Sequence, residues 1–405
     1  MSGVAVNSEI GRLVDVICHA PGPELAVVTP GNRRDYLFDD LLDLELARRE
    51  HTRFVSILSR FARVHEVSRL LRDVLELPEG RRYLLQHAGE EIRARSEGAT
   101  AAEVARLFVE GEENEGGVLA ELVNESGYSL PPLPNLFFTR DAAAVIGRQV
   151  LVASMKHEVR WSEEVLAHAL FAFHPALANQ GILFDGAHER RLNVRLEGGD
   201  VHVLRRDLVL LGMSERTTAA GIEVLASDLF RLGEVRDVLV VLMPAHRTAI
   251  HLDMIFTMID RDLCCVYPPY FLGPTRLPVL HMTRDVAGAR ELPDLFVGLA
   301  ELAIPLQPVF CGGTKRTMQE REQWGSGCNF FAVAPGQVLA YGRNEHTLRA
   351  LEEAGFELVR GVDFLAGEGE PADPSRFVVT FEGSELVRGG GGPRCMTLPI
   401  VREEV

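Results

Sequence analysis

Asn135-Leu136-Phe137-Phe138-Thr139-Arg140-Asp141 opens a pattern that the chain then repeats. Apolar residues follow at 143–146, then Gly147, a second apolar stretch at 150–154, and a predicted helix starting near Arg160. The same order returns after Val194-Arg195-Leu196-Glu197-Gly198-Gly199-Asp200, with apolar stretches at 202–204 and 208–212 and a helix predicted from Arg216. A third unit has Ile250-His251-Leu252-Asp253, a strand to Ile259, a turn at Asp260 and apolar residues 264–267; a fourth has 329–334, a Pro335-Gly336 turn, 338–341 and a helix from Glu345. Each unit reads as strand, hairpin and second strand, in three cases followed by a helix, and the N-terminal segment can supply a fifth. The expected fold class is therefore α/β, a ring of short modules around a central polar site.

Asp141, Glu197 and Asp253 are spaced 56 and 56 residues apart, so each is expected at the end of its unit's first strand, where a ring would bring the three carboxylates together. Arg160 and Arg216 each lie 19 residues after an acid of this set and open a predicted helix. A guanidinium there offers a planar fork for a carboxylate. Upstream, residues 10–18 alternate as a strand does, and 35–61 suit an amphipathic helix behind a loop. From 68 to 128 the chain turns acidic and rich in Ala, Leu, Glu and Arg, which predicts an inserted helical domain within a main domain of 1–67 and 129–405.

At 405 residues, 46% hydrophobic and 25% charged, the chain is of ordinary globular composition. A formal charge of −16 argues against nucleic-acid and anionic-membrane surfaces and favours a small cationic partner. No stretch is long and apolar enough for a bilayer, and a cytoplasmic protein is expected. Its six cysteines lack metal-type pairing and read as reduced thiols.

One of them, Cys395, follows the run Gly389-Gly390-Gly391-Gly392-Pro393-Arg394 and precedes apolar residues 398–401. Four glycines in series serve neither helix nor strand, so the run is read as a loop in close approach to a ligand, with Cys395 as nucleophile fixed beside it. His251, two residues before Asp253, is the candidate acid and base, and strand alternation would put both on one face. His246 and His251 fit no zinc spacing, and neither a metal nor a cofactor is expected. Carboxylates would normally blunt a thiol, unless the substrate is itself a cation; a guanidinium suits, since it pairs bidentately with carboxylates.

Taken together, Pro134–141, Leu196-Glu197-Gly198-Gly199-Asp200, His251-Leu252-Asp253, Arg321-Glu322-Gln323-Trp324, Ala334-Pro335-Gly336 and Gly392-Pro393-Arg394-Cys395-Met396 resemble arginine deiminase, of the guanidine-modifying (pentein) superfamily. Ser8-Glu9-Ile10-Gly11, Phe38-Asp39-Asp40 and Glu50-His51 extend the likeness over nearly the whole chain. The resemblance implies a five-unit pseudo-symmetric α/β propeller with an inserted α-helical domain, no metal, and hydrolysis of L-arginine to L-citrulline and ammonia. It implies that Cys395 attacks the guanidinium carbon, His251 protonates the departing ammonia and then activates water, and Asp141 and Asp253 hold the guanidinium nitrogens. Glu197 would orient His251, Arg160 and Arg216 would take the α-carboxylate, Asn135 the α-amino group, and Phe138 and Gly392 would line the substrate. A homo-oligomer is expected.

Two departures stand out. Gly390 occupies a loop position where an arginine is expected, with Arg388 or Arg394 as possible substitutes, and 325–329 lacks the expected acidic residue. An amidinotransferase, a deiminase of a modified arginine, or a non-catalytic arginine-binding protein are the alternative readings.

Overall fold

The computed structural model describes residues 3–113, 118–123, 127–188 and 193–405. Its recurring unit is the hairpin that the sequence repeat predicts. Ala143–Ile146 pairs antiparallel with Gln149–Val152 across a turn that Gly147 makes at φ 60°, and helix Trp161–Phe173 then returns the chain so that Ile182–Asp185 lies parallel to the second strand. A parallel neighbour needs such a crossover, because a tight turn can only reverse direction. Val201–Arg205 and Leu208–Met213 repeat the arrangement, with helix Ala219–Leu232 and parallel strand Asp237–Leu242. So do Phe256–Met258 and Leu263–Val266 with Gln307–Phe310, and Phe331–Ala334 and Gln337–Tyr341 with Phe377–Phe381.

The fifth set joins the two ends of the chain. Leu398–Arg402 runs antiparallel to Leu13–Cys18, which is parallel to Arg63–Glu66 after helix Leu44–Leu58. That helix starts where Asp43 accepts the N–H of Leu46 at 2.9 Å, so the segment predicted at 35–61 is loop to residue 43 and helix beyond. Between Arg63–Glu66 and Tyr128–Leu130 the described chain is mostly helical, with Val67–Leu75, Pro78–His87, Glu90–Arg95 and Ala101–Glu110, the last opened by a Thr100/Glu103 capping box. Their apolar faces share one core with helix Trp161–Phe173 and with Leu398 and Ile400 of the last strand. Part of the predicted 68–128 segment lies outside the described residues. No helix among those described is long and apolar enough to cross a membrane.

The acids do not end strands. Asp141 lies in the helical turn Thr139–Ala142, Glu197 directly precedes the turn Gly198–Asp200, and Asp253 lies in the turn Leu252–Met254; each turn leads into the first strand of its hairpin. His251 and Asp253 are therefore brought inward by a turn rather than by strand alternation. The physical reason is the close packing at these points: a Cβ on Gly198 would stand 2.1 Å from the Arg140 carbonyl. Short turns, whose backbone closes on itself locally, fit where an extended strand would leave its polar groups unpaired.

Candidate active site

Cys395 is held on three sides before any ligand is considered. It sits in the turn entering buried strand Leu398–Arg402. Asn329 Oδ1 accepts the N–H groups of Arg394 and Cys395 at 2.9 and 3.2 Å, while Asn329 Nδ2 donates to the Asp253 carbonyl at 3.1 Å and lies 3.2 Å from Cys395 Sγ. Asp253 Oδ2 is 3.6 Å from the same sulfur. Behind it, Arg394 spans the interior: Nη1 to Asp253 Oδ2 at 3.0 Å, Nε to Glu9 Oε2 at 3.0 Å and Nη2 to the Val201 carbonyl at 2.7 Å. A guanidinium so buried demands this full set of acceptors.

His251 is clamped between carboxylates. Its Nε2 lies 2.8 Å from Glu197 Oε2 and its Nδ1 3.5 Å from Asp141 Oδ1. Glu197 also accepts Arg216 Nη1 at 3.3 Å and the Lys156 N–H at 3.0 Å. Asp200 braces the turn beneath, accepting the Leu252 N–H at 2.9 Å and the Ser214 hydroxyl at 2.6 Å. Asp141 Oδ2 is 2.5 Å from Arg160 Nη1, and Arg160 is forked to Glu163 at 2.9 and 2.7 Å. Two oxygens are left over: Asp141 Oδ1 and Asp253 Oδ1 are buried with no hydrogen-bond donor among the described residues.

Burial pushes the Cys395 thiol up, and the charges of Asp253 and Asp141 push it further, well above its ordinary value. Burial lowers His251, but the Asp141 charge and the Glu197 hydrogen bond outweigh it and raise the imidazole to about 9. For Glu197 burial works upward, and Arg216 and His251 together hold the carboxyl well below the usual range. At neutral pH the site thus holds a protonated thiol and an imidazolium in the lining of one cavity.

The glycine run earns its composition here. A Cβ on Gly389 would meet Phe137 at 2.9 Å, on Gly391 Phe138 at 2.5 Å, and on Gly392 the Asn329 side chain at 2.8 Å. Gly390, at φ 90°, would meet Arg247 Nη2 at 2.8 Å. The loop lies this close to the side chains lining the cavity, and any larger residue would push them aside.

Leu37, Asn135, Phe138, Asp141, Arg160, Arg216, Arg247, Ile250, His251, Gly389–391 and Cys395 line one small inner cavity. Outside it lies a basin of about 450 Å³, and Arg216 and Arg247 line both. Asn135 donates Nδ2 to the Tyr36 carbonyl at 2.9 Å. Of the two arginines considered as substitutes for Gly390, Arg388 turns outward to Asp40 and Glu385, and Arg394 is consumed by Glu9 and Asp253. Arg247 lies beside Gly390 instead, held by Asp39 Oδ1 at 2.9 Å and the Leu37 carbonyl at 2.6 Å. Sequence reasoning missed Arg247, Asn329 and Glu9. Asn329 carried a signal, since it heads the fourth unit of the repeat as the acids head theirs.

The ring of His251 also explains Gly199, whose Cβ would fall 2.5 Å from Nδ1 and 2.6 Å from Cγ. Gly199→Ala is expected to displace the His251 ring, and a displacement of about 1 Å would lower the kcat of any reaction that uses the ring on the order of 100-fold. Unchanged kcat in a folded Gly199→Ala protein would mean that the ring position does not limit the reaction.

Solved structures share this architecture at low sequence identity. The N-terminal domain of ArgZ, a cyanobacterial arginine dihydrolase, superposes with a TM-score of 0.54 at 14% identity, covering 96% of this chain and 98% of that one. SxtG, an amidinotransferase from Microseira wollei, gives 0.56 at 14% identity over 99% and 98%. The class is that of α/β proteins built from repeated hairpins with a parallel third strand, here with a thiol, an imidazole and carboxylates gathered where the hairpins begin. The sequence profile of the arginine deiminase family matches residues 34–402, and the arginine deiminase of Streptococcus sanguinis is 34% identical over 99% of both chains. That of Borrelia garinii is 31% identical over 100% of this chain and 99% of its own. The chain belongs to the arginine deiminase family.

Proposed function

We propose that the protein hydrolyses L-arginine to L-citrulline and ammonia through a covalent intermediate on Cys395. The observation that carries this is the pair of buried oxygens, Asp141 Oδ1 and Asp253 Oδ1, that make no hydrogen bond among the described residues, Asp141 Oδ1 having only the ion-pair contact of His251 Nδ1 at 3.5 Å. A buried carboxylate oxygen without a donor is costly, and a planar guanidinium with five N–H donors is the ligand that relieves two of them at once. The same cation offsets the charges that hold the thiol protonated, so the nucleophile is activated only when substrate is present.

In the reaction, Cys395 Sγ bonds to the guanidinium carbon, the C–N bond to one terminal nitrogen breaks, and the proton from His251 leaves with it as ammonia. The thiol proton is released to solvent as the bound cation stabilises the thiolate, and it is the one proton the reaction yields beside citrulline and ammonia. His251, now neutral, takes a proton from water as its oxygen adds to the thiouronium carbon, and the C–S bond breaks to give citrulline and the thiol. Glu197 orients the ring throughout. Arg216 and Arg247, shared by cavity and basin, receive the α-carboxylate, and Arg160 acts chiefly by fixing Asp141. Around this site we read residues 1–67 and 129–405 as a five-unit propeller with 68–128 inserted, supported by the five strand sets that repeat one pairing order.

Arginine without added cofactor is expected to yield equal amounts of citrulline and ammonia. Because His251 must carry a proton to the leaving nitrogen and titrates at about 9, kcat/KM should fall above that pH. Glu197→Gln removes a stabiliser of the imidazolium and should move the alkaline limb to lower pH. Neither product at millimolar arginine would reject the reaction; product with an unshifted limb would reject only the role of His251.

A further inference from the structure

A second cluster of donor atoms lies away from this site. His168, on helix Trp161–Phe173, and His188, just past strand Ile182–Asp185, bring their Nδ1 atoms to the same oxygen, Asp185 Oδ2, at 2.8 and 2.7 Å. His188 makes a hydrogen bond there, whereas His168 Nδ1 has only the ion-pair contact and no hydrogen-bond partner among the described residues. Asp185 Oδ1 is occupied by the Ala187 N–H at 3.2 Å, which leaves Oδ2 to face the two rings. Tyr83, from helix Pro78–His87, covers them with ring centroids 4.6 Å from His168 and 5.6 Å from His188, and its own buried hydroxyl has no hydrogen-bond partner among the described residues.

Protons satisfy this arrangement poorly, because two imidazole nitrogens converge on the single oxygen Asp185 Oδ2 and only His188 forms a hydrogen bond to it. A divalent cation satisfies both nitrogens and the carboxylate together, using lone pairs alone. We propose that His168 Nδ1, His188 Nδ1 and Asp185 Oδ2 form a zinc site, with water as the fourth ligand. Two imidazoles and one carboxylate are a donor set that Zn²⁺ takes, at about 2.0–2.2 Å per bond. Tetrahedral ligation then needs the three atoms to spread by roughly half an ångström, which the exposed His188 permits. Asp185 and His168 are largely covered, at 16% and 13% side-chain exposure, while His188 at 48% leaves the ion a way in. A metal here ties helix Trp161–Phe173 to strand Ile182–Asp185, beneath the helix that carries Tyr83.

The test uses the full-length, tag-free chain stripped by chelator and titrated with Co²⁺, then Zn²⁺. One equivalent of Co²⁺ should give visible bands of a four-coordinate ion with no thiolate charge-transfer band, be displaced by Zn²⁺, and raise Tm. His188→Ala, at an exposed position, should weaken binding by on the order of 100-fold or more and leave arginine turnover unchanged. His168→Asn should do the same and serves as the second variant. Undiminished cobalt binding in both variants overturns the site, as does the absence of binding at micromolar metal. A thiolate band overturns it too, since the three proposed ligands include no cysteine and the band would place the ion at one of the six free thiols instead.

Discussion

Cys395→Ala is expected to abolish citrulline formation, by on the order of 10⁴-fold or more, because in the proposed mechanism it removes the atom that forms the covalent bond and leaves only binding and positioning. The fold should persist. The side chain is small and its surroundings are fixed by Asn329 through the backbone of residues 394 and 395, so alanine leaves those hydrogen bonds in place. Arginine should still bind, since Asp141 and Asp253 are untouched, and calorimetry on the variant would measure that affinity without turnover. Retained binding with lost turnover separates a nucleophile from a structural cysteine. Turnover within tenfold of the parent would remove Cys395 from the chemistry. Cys18, Cys264, Cys265, Cys311 and Cys328 offer the comparison: all are buried thiols, and none lines the inner cavity.

The hairpin order was legible because strand and turn residues recur at nearly fixed intervals. Strands expected at 143–146 and 208–212 appear as Ala143–Ile146 and Leu208–Met213. The spacing of Asp141, Glu197 and Asp253 was legible for the same reason, although their local backbone was not: nothing in a short acidic turn announces itself against a strand end. Hairpin Val279–Thr283 and Val286–Leu292 escaped notice, because the second strand is almost wholly exposed and shows no apolar alternation. Contacts such as Glu9 to Arg394 join the chain's two ends, and only the folded topology brings them together. Arg247 is the clearest case. Its importance depends on the missing side chain of Gly390, a relation between a presence and an absence that no spacing rule encodes.

Asp253→Asn should drive two properties of Cys395 in opposite directions. In the parent, the Asp253 carboxylate 3.6 Å from Sγ helps hold the thiol protonated. The amide removes that charge while Arg394, 3.0 Å from the same carboxyl oxygen, keeps its own. The thiol pKa should fall, and alkylation of the free enzyme by iodoacetamide at neutral pH should accelerate. Turnover should nevertheless drop by on the order of 100-fold, because the proposed charge-assisted contact of Asp253 to the guanidinium is lost, worth about 3 kcal/mol. Arg394 would also lose the charge of one of its two carboxylate partners, keeping Glu9 as its ion pair, so a fall in Tm is expected, with about 3–5 kcal/mol, the cost of breaking a buried pair outright, as its upper bound. Asp141→Asn is the companion measurement. Its carboxylate leans on Arg160 instead of Arg394, so it should reduce turnover comparably while leaving the Glu9–Arg394–Asp253 chain intact. A thiol that alkylates more slowly in Asp253→Asn than in the parent would mean that the carboxylates are not what restrains the sulfur, and activation by a cationic substrate would lose its basis.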